Sequence, residues 1–128
     1  MKTELRTLLK TVRDLIVATP GFRYYPESAG AKCNYNKGGD PDFPLQVGCL
    51  FGQALRSCGE EVSKRDEGDA LTQLYGGSNV PLILFLQSVQ DSQDAGTNWR
   101  QSWDFAIRNA TPEALRAVKR HVPLKLPE

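Results

Sequence analysis

Three cysteines and one histidine are the residues of this chain whose types could bind a metal ion. Cys33, Cys49, Cys58 and His121 together offer the four nitrogen and sulfur ligands that a structural zinc requires. Structural zinc sites take their ligands in close pairs, whereas these four residues are sixteen, nine and sixty-three positions apart. We therefore expect no metal site, with Cys49 and Cys58 as small core residues and His121 at the end of a surface helix.

The thiol of Cys49 is the second candidate for chemistry, because it lies near the start of a predicted helix whose dipole favours the thiolate. A cysteine nucleophile also needs a base, and His121 is distant in the sequence and has no adjacent carboxylate. A thiol enzyme that uses Cys49 stays an alternative, but we expect a protein without enzymatic activity and without a cofactor. The odd number of cysteines and the absence of a secretory signal predict reduced thiols and a cytoplasmic location.

A run of turn-forming residues resembles a calcium-binding loop in composition. Counted from Asn34, the helix-flanked calcium loop requires a bidentate Glu at the twelfth position, and that position is Leu45. The match fails there, so we interpret Asn36, Asp40 and Asp42 as turn formers. A phosphate-binding glycine loop, a dinucleotide fingerprint and a nucleophile elbow are all missing from the sequence.

A stripe of basic residues on the first predicted helix indicates an alternative function, nucleic-acid binding. Lys2, Arg6, Lys10 and Arg13 recur at helical spacing on the polar face of that helix. The formal net charge of the chain is only +1, whereas a nucleic-acid binder usually has a larger positive excess on one face. Such a stripe is more often a solvated helix surface, and nucleic-acid binding is therefore the alternative and not the preferred function.

The preferred function, binding to a partner protein, is based on the long connection of residues 22–46. This segment holds five of the eleven aromatic residues of the chain. Residues 22–25 and 31–35 are aromatic enough to pair as a small β-hairpin. Aromatic and basic side chains are enriched at interface hot spots, which makes this segment a candidate partner-binding surface. Two further interpretations stay open: the aromatic side chains cover the helices, or they mediate self-association. The candidate residues are Arg23, Tyr24, Tyr25, Tyr35 and Lys37.

Hydrophobic periodicity and capping residues predict the helices that position these segments. The predicted helices span residues 2–18, 46–58, about 69–75, 79–94, 97–107 and 111–121, and a tail follows at 122–128. Gly48 and Gly52 interrupt the second helix, which implies either that another backbone passes very close to it or that Gly48 belongs to its entry turn. The helix at 79–94 is apolar almost all round in its first half, so it belongs in a core and not in a DNA groove. We expect a mainly α (α+β) fold: one domain over residues 1–128, with four to six helices and a small β-hairpin after the first.

Two segments carry a resemblance to a known group of proteins. Gly-Cys-Leu-Phe-Gly-Gln-Ala-Leu at residues 48–55 and Gln-Asp-Ser-Gln-Asp-Ala-Gly-Thr-Asn-Trp at residues 90–99 are similar to segments of small proteins of actinobacteria and their phages. The likeness covers residues 22–107, and these relatives have no assigned activity. The resemblance implies an accessory or early phage gene and no catalytic residue. We expect a non-enzymatic interaction protein without a membrane segment, a phage-encoded modulator of a host protein that acts in the host cytoplasm.

Overall fold

The computed structural model describes residues 2–26, 34–62, 71–76 and 79–128, and these residues form a mainly helical structure. Each helix coincides with one that the hydrophobic periodicity predicts, and the mainly α class is thereby confirmed. The helices are α1 (Leu5–Ala18), α2 (Leu50–Ser57), α3 (Leu71–Tyr75), α4 (Val80–Asp94), α5 (Trp99–Asn109) and α6 (Pro112–Lys119).

The predicted β-hairpin is absent from the described residues, and part of its second strand lies outside them. Two isolated antiparallel bridges occur instead, Tyr25 with Gly39 and Gly39 with Val47. The backbone of Tyr35 forms no bridge with residues 22–25 because it packs closely against Gly52 of α2, and the Tyr35 side chain is buried. The described part of the segment after α1 is thus an irregular loop with single bridges, and the hairpin is not shown there, since residues 31–33 of its second strand lie outside the described residues.

Helix α4 is the centre of the core and packs against all five other helices. Leu82, Phe85, Leu86 and Val89 are buried, as the apolar pattern predicts. The ring of Phe85 meets Trp103 of α5 edge to face, with ring centroids 5.0 Å apart. Within the described part of the chain, no helix has both the length and the apolar character needed to cross a membrane.

The start of α2 is fixed by two buried glutamines of α4. The backbone N–H of Leu50 donates to Oε1 of Gln93 at 2.8 Å, and that of Phe51 donates to Oε1 of Gln90 at 3.3 Å. The indole Nε1–H of Trp99 donates to the same oxygen of Gln93 at 3.4 Å. The first N–H groups of a helix lack intrahelical acceptors, and the glutamines supply these acceptors inside the core. The two segments that carry the sequence resemblance therefore contact each other here.

The segment 122–128, which the sequence predicts as a tail, packs onto the helices. Val122 and Leu126 are buried, and Leu124 is packed against the core. Backbone carbonyl groups of the segment accept hydrogen bonds from side chains of α1 and α5. Residues 122–128 therefore pack on the helices at a defined position.

Candidate interaction surface

Two of the five residues predicted to bind a partner are core residues. Tyr24 and Tyr35 are buried. The Tyr24 hydroxyl donates to the carbonyl of Lys37 at 2.8 Å and accepts from the backbone N–H of Asn34 at 3.0 Å. The prediction is corrected for both tyrosines, because a buried side chain has no surface to offer a partner. The alternative interpretation, that aromatic side chains cover the helices, describes these two residues.

The other three predicted residues reach the surface. Half-buried Arg23 donates from Nη1 to the carbonyl of Gly96 at 2.6 Å, which links the loop to the end of α4. The backbone N–H of Arg23 donates to the buried carboxylate of Asp40 at 2.8 Å. Tyr25 is 52% exposed, and Lys37 is exposed as well. Arg23 therefore holds the loop in place, whereas Tyr25 and Lys37 face solvent.

Two exposed apolar residues join Tyr25 and were not among the predicted site residues. Leu45 is 97% exposed and Val47 is 46% exposed. The bridges place Val47 and Tyr25 on either side of Gly39, so we call Tyr25, Lys37, Leu45 and Val47 the loop surface. Leu45 follows Pro44 in an irregular segment, where hydrophobic periodicity gives no signal that separates buried from exposed residues.

A cleft of about 360 Å³ borders the loop surface. One wall is the last turn of α1, and the other is formed by α2 and the loop itself. Leu45 and Val47 line it together with polar side chains, so these two exposed residues and the cleft form one concave feature of mixed polarity. The lining residues are Leu15, Ala18, Thr19, Leu45, Gln46, Val47, Gln53, Arg56 and Ser57.

Close contact between two backbones fixes the loop against α2. A methyl group at Gly48 or Gly52 would overlap the backbone of Tyr35, so only glycine fits at either position. Gly48 also has a φ of +92°, which favours glycine independently. Both predicted explanations apply: the Tyr35 backbone passes close to both glycines, and Gly48 also lies in the entry turn, before α2 begins at Leu50.

Polar side chains of α2 complete the attachment of the loop. The guanidinium of Arg56 donates to the carbonyl groups of Tyr35 and Val47, on either side of the glycine contact. Partial burial lowers the pKa of Arg56 from its ordinary value. The buried amide of Gln53 donates to the carbonyl of Gly48 at 2.9 Å and accepts from Gln46 at 3.0 Å. The backbone that carries Leu45 and Val47 is therefore held by charged and neutral hydrogen bonds.

A second and larger apolar cleft lies between α4 and α5. Its volume is about 600 Å³, and the side chains of Leu84 and Phe105 line it. Leu84 is 58% exposed and Phe105 is 45% exposed, although Ile83, Phe85 and Ala106 beside them are buried. These two residues offer a comparison for the loop surface, since they are equally apolar and exposed but lie on helices.

The basic stripe of α1 is only partly available to a ligand. Lys2, Arg6 and Lys10 are exposed, and Arg6 forms an ion pair with Glu4 at 2.7 Å. Arg13 donates two hydrogen bonds to backbone carbonyl groups of the C-terminal segment. Three of the four predicted cations therefore still face solvent, and the fourth has a structural role.

The cysteines occupy three different situations. Cys49 is fully buried and disulfide-bonded, and its partner sulfur lies outside the described residues, as does Cys33. The prediction of reduced thiols is wrong for Cys49, and the argument for a cytoplasmic location from reduced thiols no longer applies to it. A disulfide-bonded sulfur also offers no thiolate for the nucleophile alternative.

Cys58 is the free thiol of the described residues, and its sulfur lies 3.3 Å from the hydroxyl of Thr11. Burial first, then the carboxylate of Glu60 and the neighbouring Cys58, raise the pKa of Tyr75 to about 12. This phenol therefore stays protonated at neutral pH and cannot act as a base for the thiol. Among the described residues, no three histidine, cysteine or carboxylate side chains come together as a metal site.

No protein-family model, curated protein or solved structure matches this chain. The resemblance to small proteins of actinobacteria and their phages stays a prediction.

Proposed function

We propose that this chain is a non-enzymatic interaction protein that binds a protein partner through the loop surface and its adjoining cleft. The observation that supports the proposal most is that Leu45 and Val47 are exposed on a backbone that α2 holds at Val47 and Gly48, and that exposed Tyr25 is paired through its backbone with Gly39 of the same loop. Exposed apolar side chains contribute little to the stability of the monomer. Because the backbone of the loop is already fixed before binding, less conformational entropy is lost when a partner covers these side chains.

The composition of the loop surface supports a protein as the partner. Tyr25 is a rigid amphipathic side chain of the kind that dominates interface energetics, and Lys37 adds a charge beside it. The cleft of about 360 Å³ beside Leu45 is large enough to accept an apolar side chain from the partner. The resemblance described above suggests a host protein as that partner and a modulating role for this chain.

A photo-crosslinking experiment tests the proposal directly. A benzophenone amino acid replaces Tyr25 or Leu45 in two variants, and Leu84 or Phe105 in two reference variants. Each is irradiated in actinobacterial lysate with and without nuclease, and the products are identified by mass spectrometry. We expect the same protein to crosslink from positions 25 and 45, in both nuclease conditions, and not from positions 84 and 105.

Binding measurements with the identified protein then separate the two apolar surfaces. The double variant Y25S/L45S should bind at least about tenfold more weakly, because exposed apolar anchors carry most of the interface energy. The matched variant L84S/F105S should bind like the wild type, and both variants should keep their unfolding free energies within about 0.5 kcal/mol. A loss confined to L84S/F105S would place the partner on the cleft between α4 and α5 and refute the proposal.

The same experiment addresses nucleic-acid binding and self-association. Capture that disappears after nuclease treatment, and that R6E/K10E abolishes, would support the basic stripe instead. Crosslinks from positions 25 and 45 to the chain itself would identify the loop surface as a contact between two copies. Either result would contradict the proposal that the loop surface binds a different protein.

A further inference from the structure

The cleft beside the loop surface combines apolar side chains with a single charged one. Leu15, Ala18, Leu45 and Val47 supply its apolar part, and Arg56 is the one charged residue among the nine described residues that line it. Arg56 stays cationic at neutral pH, because a guanidinium does not lose its proton in proteins. A charge in a concave and partly apolar surface attracts ligands of the opposite sign more strongly than it would on an open face. The cleft therefore favours an anionic group.

The neutral polar side chains of the cleft have already used most of their hydrogen-bond donors. Nε2 of Gln46 donates to Oγ1 of Thr19 at 3.2 Å and to Oε1 of Gln53 at 3.0 Å, which uses both of its hydrogens. The hydroxyl of Thr19 donates to the carbonyl of Leu15 at 3.2 Å, and that of Ser57 donates to the carbonyl of Gln53 at 2.9 Å. A ligand that needs several donors therefore depends on the charged residue.

Arg56 supplies these donors, because only part of its guanidinium is used by the fold. Nη1 donates to the carbonyl of Tyr35 and Nη2 to that of Val47. A guanidinium has more N–H groups than these two bonds use, so Nε–H and one hydrogen on each terminal nitrogen remain. The ion pairs found among the described residues belong to other arginines. Within this part of the chain, Arg56 is therefore a fixed cation with donors to spare and no carboxylate paired with it.

A carboxylate is the anion that matches these donors. Partial burial lowers the pKa of Arg56, so its charge has lost part of its hydration, and neutral carbonyl groups replace only some of it. A carboxylate accepts two parallel N–H bonds from one guanidinium, and such charge-assisted bonds are about twice as strong as bonds between neutral groups. The chain that bears the carboxylate meets Leu45 and Val47, which line the same cleft. An acidic group on an apolar chain therefore fits better than a small inorganic anion.

We propose that the cleft binds an aspartate or glutamate side chain of the partner protein, that Arg56 donates to its carboxylate, and that apolar residues beside it cover Leu45 and Val47. This inference rests on the proposed function, because it specifies what the partner places in the cleft beside the loop surface. The volume of about 360 Å³ exceeds that of one acidic side chain, so an apolar side chain of the same partner also has room. Leu45 is 97% exposed, and covering it takes residues outside the cleft, which a protein segment has and a free carboxylic acid lacks.

NMR titration of the wild type with two small isosteres tests the preference for a carboxylate. The probes are isocaproate and its neutral amide, isocaproamide, added at constant ionic strength. The resonances to follow are Nε–H of Arg56 and the backbone N–H groups of Val47 and Ser57. We expect saturable shifts with isocaproate and about tenfold weaker binding of isocaproamide, because charge-assisted bonds are the stronger ones. Isoamylamine, which carries a positive charge on the same apolar chain, should cause no shifts.

Two arginine variants assign the preference to Arg56. R56Q should bind isocaproate and isocaproamide about equally, because the charge is gone. Arg13 is the matched control, since its guanidinium also donates to two backbone carbonyl groups, at 3.0 and 2.9 Å, but does not line the cleft. R13Q should therefore keep the preference for the carboxylate, and Nε–H of Arg13 should not shift in the wild type. If R56Q does not fold, the wild-type titration decides, because Nε–H of Arg56 reports on the contact directly.

The outcomes separate this inference from the proposed function. Equal binding of isocaproate and isocaproamide to the wild type, or equal shifts at Arg13 and Arg56, would overturn the inference even if a protein crosslinks from positions 25 and 45. Carboxylate binding at Arg56 with no crosslinked protein would refute the proposed function and identify a free carboxylic acid as the ligand.

The crosslinked protein itself provides the last test. Changing its acidic residue nearest the crosslink to the corresponding amide should weaken binding to the wild type about tenfold and leave binding to R56Q unchanged. An equal loss with R56Q would place that acidic residue away from Arg56 and overturn the inference.

Discussion

Replacing Gln93 with leucine tests whether α4 determines where α2 begins. The change removes the oxygen that accepts from Leu50 N–H at 2.8 Å and from Trp99 Nε1–H at 3.4 Å, and Gln93 is fully buried. Each buried donor left without an acceptor costs about 1–3 kcal/mol. Because the second bond is long, we expect Q93L to lower the free energy of unfolding by about 2–4 kcal/mol, a large part of the total for a domain of this size.

The measurement is urea unfolding of the wild type and three glutamine variants, followed by circular dichroism. Gln90 makes one such bond at 3.3 Å, so Q90L should cost less than Q93L. Gln101 is exposed on α5, so Q101L makes the same chemical change where no buried N–H depends on it and should alter stability by about 0.5 kcal/mol or less. Equal m-values across the series would show that the native and unfolded states remain comparable.

A Q93L variant as stable as Q101L would refute the reasoning. It would mean that water or a rearranged backbone satisfies Leu50 and Trp99 without Gln93, and that the contact between α4 and the start of α2 is incidental.

Two further stability predictions follow from single sites. Gly52→Ala should lower the unfolding free energy by about 1–3 kcal/mol, because its methyl group would overlap the Tyr35 backbone. Gly21→Ala is the control, since no atom lies near a methyl group there and its stability should not fall. Equal stability of the two variants in urea would contradict the close contact at Gly52. Asp94 lies at the exposed end of α4, where partial desolvation and the carboxylate of Asp91 raise its pKa to about 7 from an ordinary value near 4, although a hydrogen bond from the Gln93 amide lowers it. The folded state therefore holds this proton more tightly, and its contribution to stability is present below pH 4 and is lost as the pH rises to 7. Unfolding curves at pH 4 and pH 8 should show D94N equal to the wild type at the lower pH and more stable at the higher, and a pH-independent difference would contradict the raised pKa.

The positions of the helices could be predicted from local signals. Asn98 and Thr111 accept hydrogen bonds from Gln101 N and Ala114 N, as expected for capping residues before apolar periodic segments. Gly48 and Gly52, in a predicted helix, indicate either a close backbone or an entry turn. These signals lie within one helix and its flanks, which is why the sequence alone carries them.

Long-range pairing could not be predicted in the same way. The contact between Leu50 and Gln93 joins residues forty-three positions apart, and no local pattern indicates that a glutamine will face inward and accept from another helix. Tyr24 and Tyr25 are adjacent and alike in type, yet one is buried and the other exposed, because the difference depends on tertiary packing. The packed C-terminal segment did leave a signal, the alternation of apolar residues at 122, 124 and 126.

The exposure of Leu45 is difficult to explain by folding alone. The loop that carries it is fixed by two glycines, whose conformational freedom is costly to restrict, and by Arg56, whose charge is partly desolvated. The side chain of Leu45 is 97% exposed and contributes almost no buried area. If the loop served only to close the core, a polar residue at this position would therefore cost no stability. A fixed backbone that presents an apolar residue to solvent lowers the entropic cost of binding, and the loop surface is therefore a better first site to test than the more regular cleft between α4 and α5.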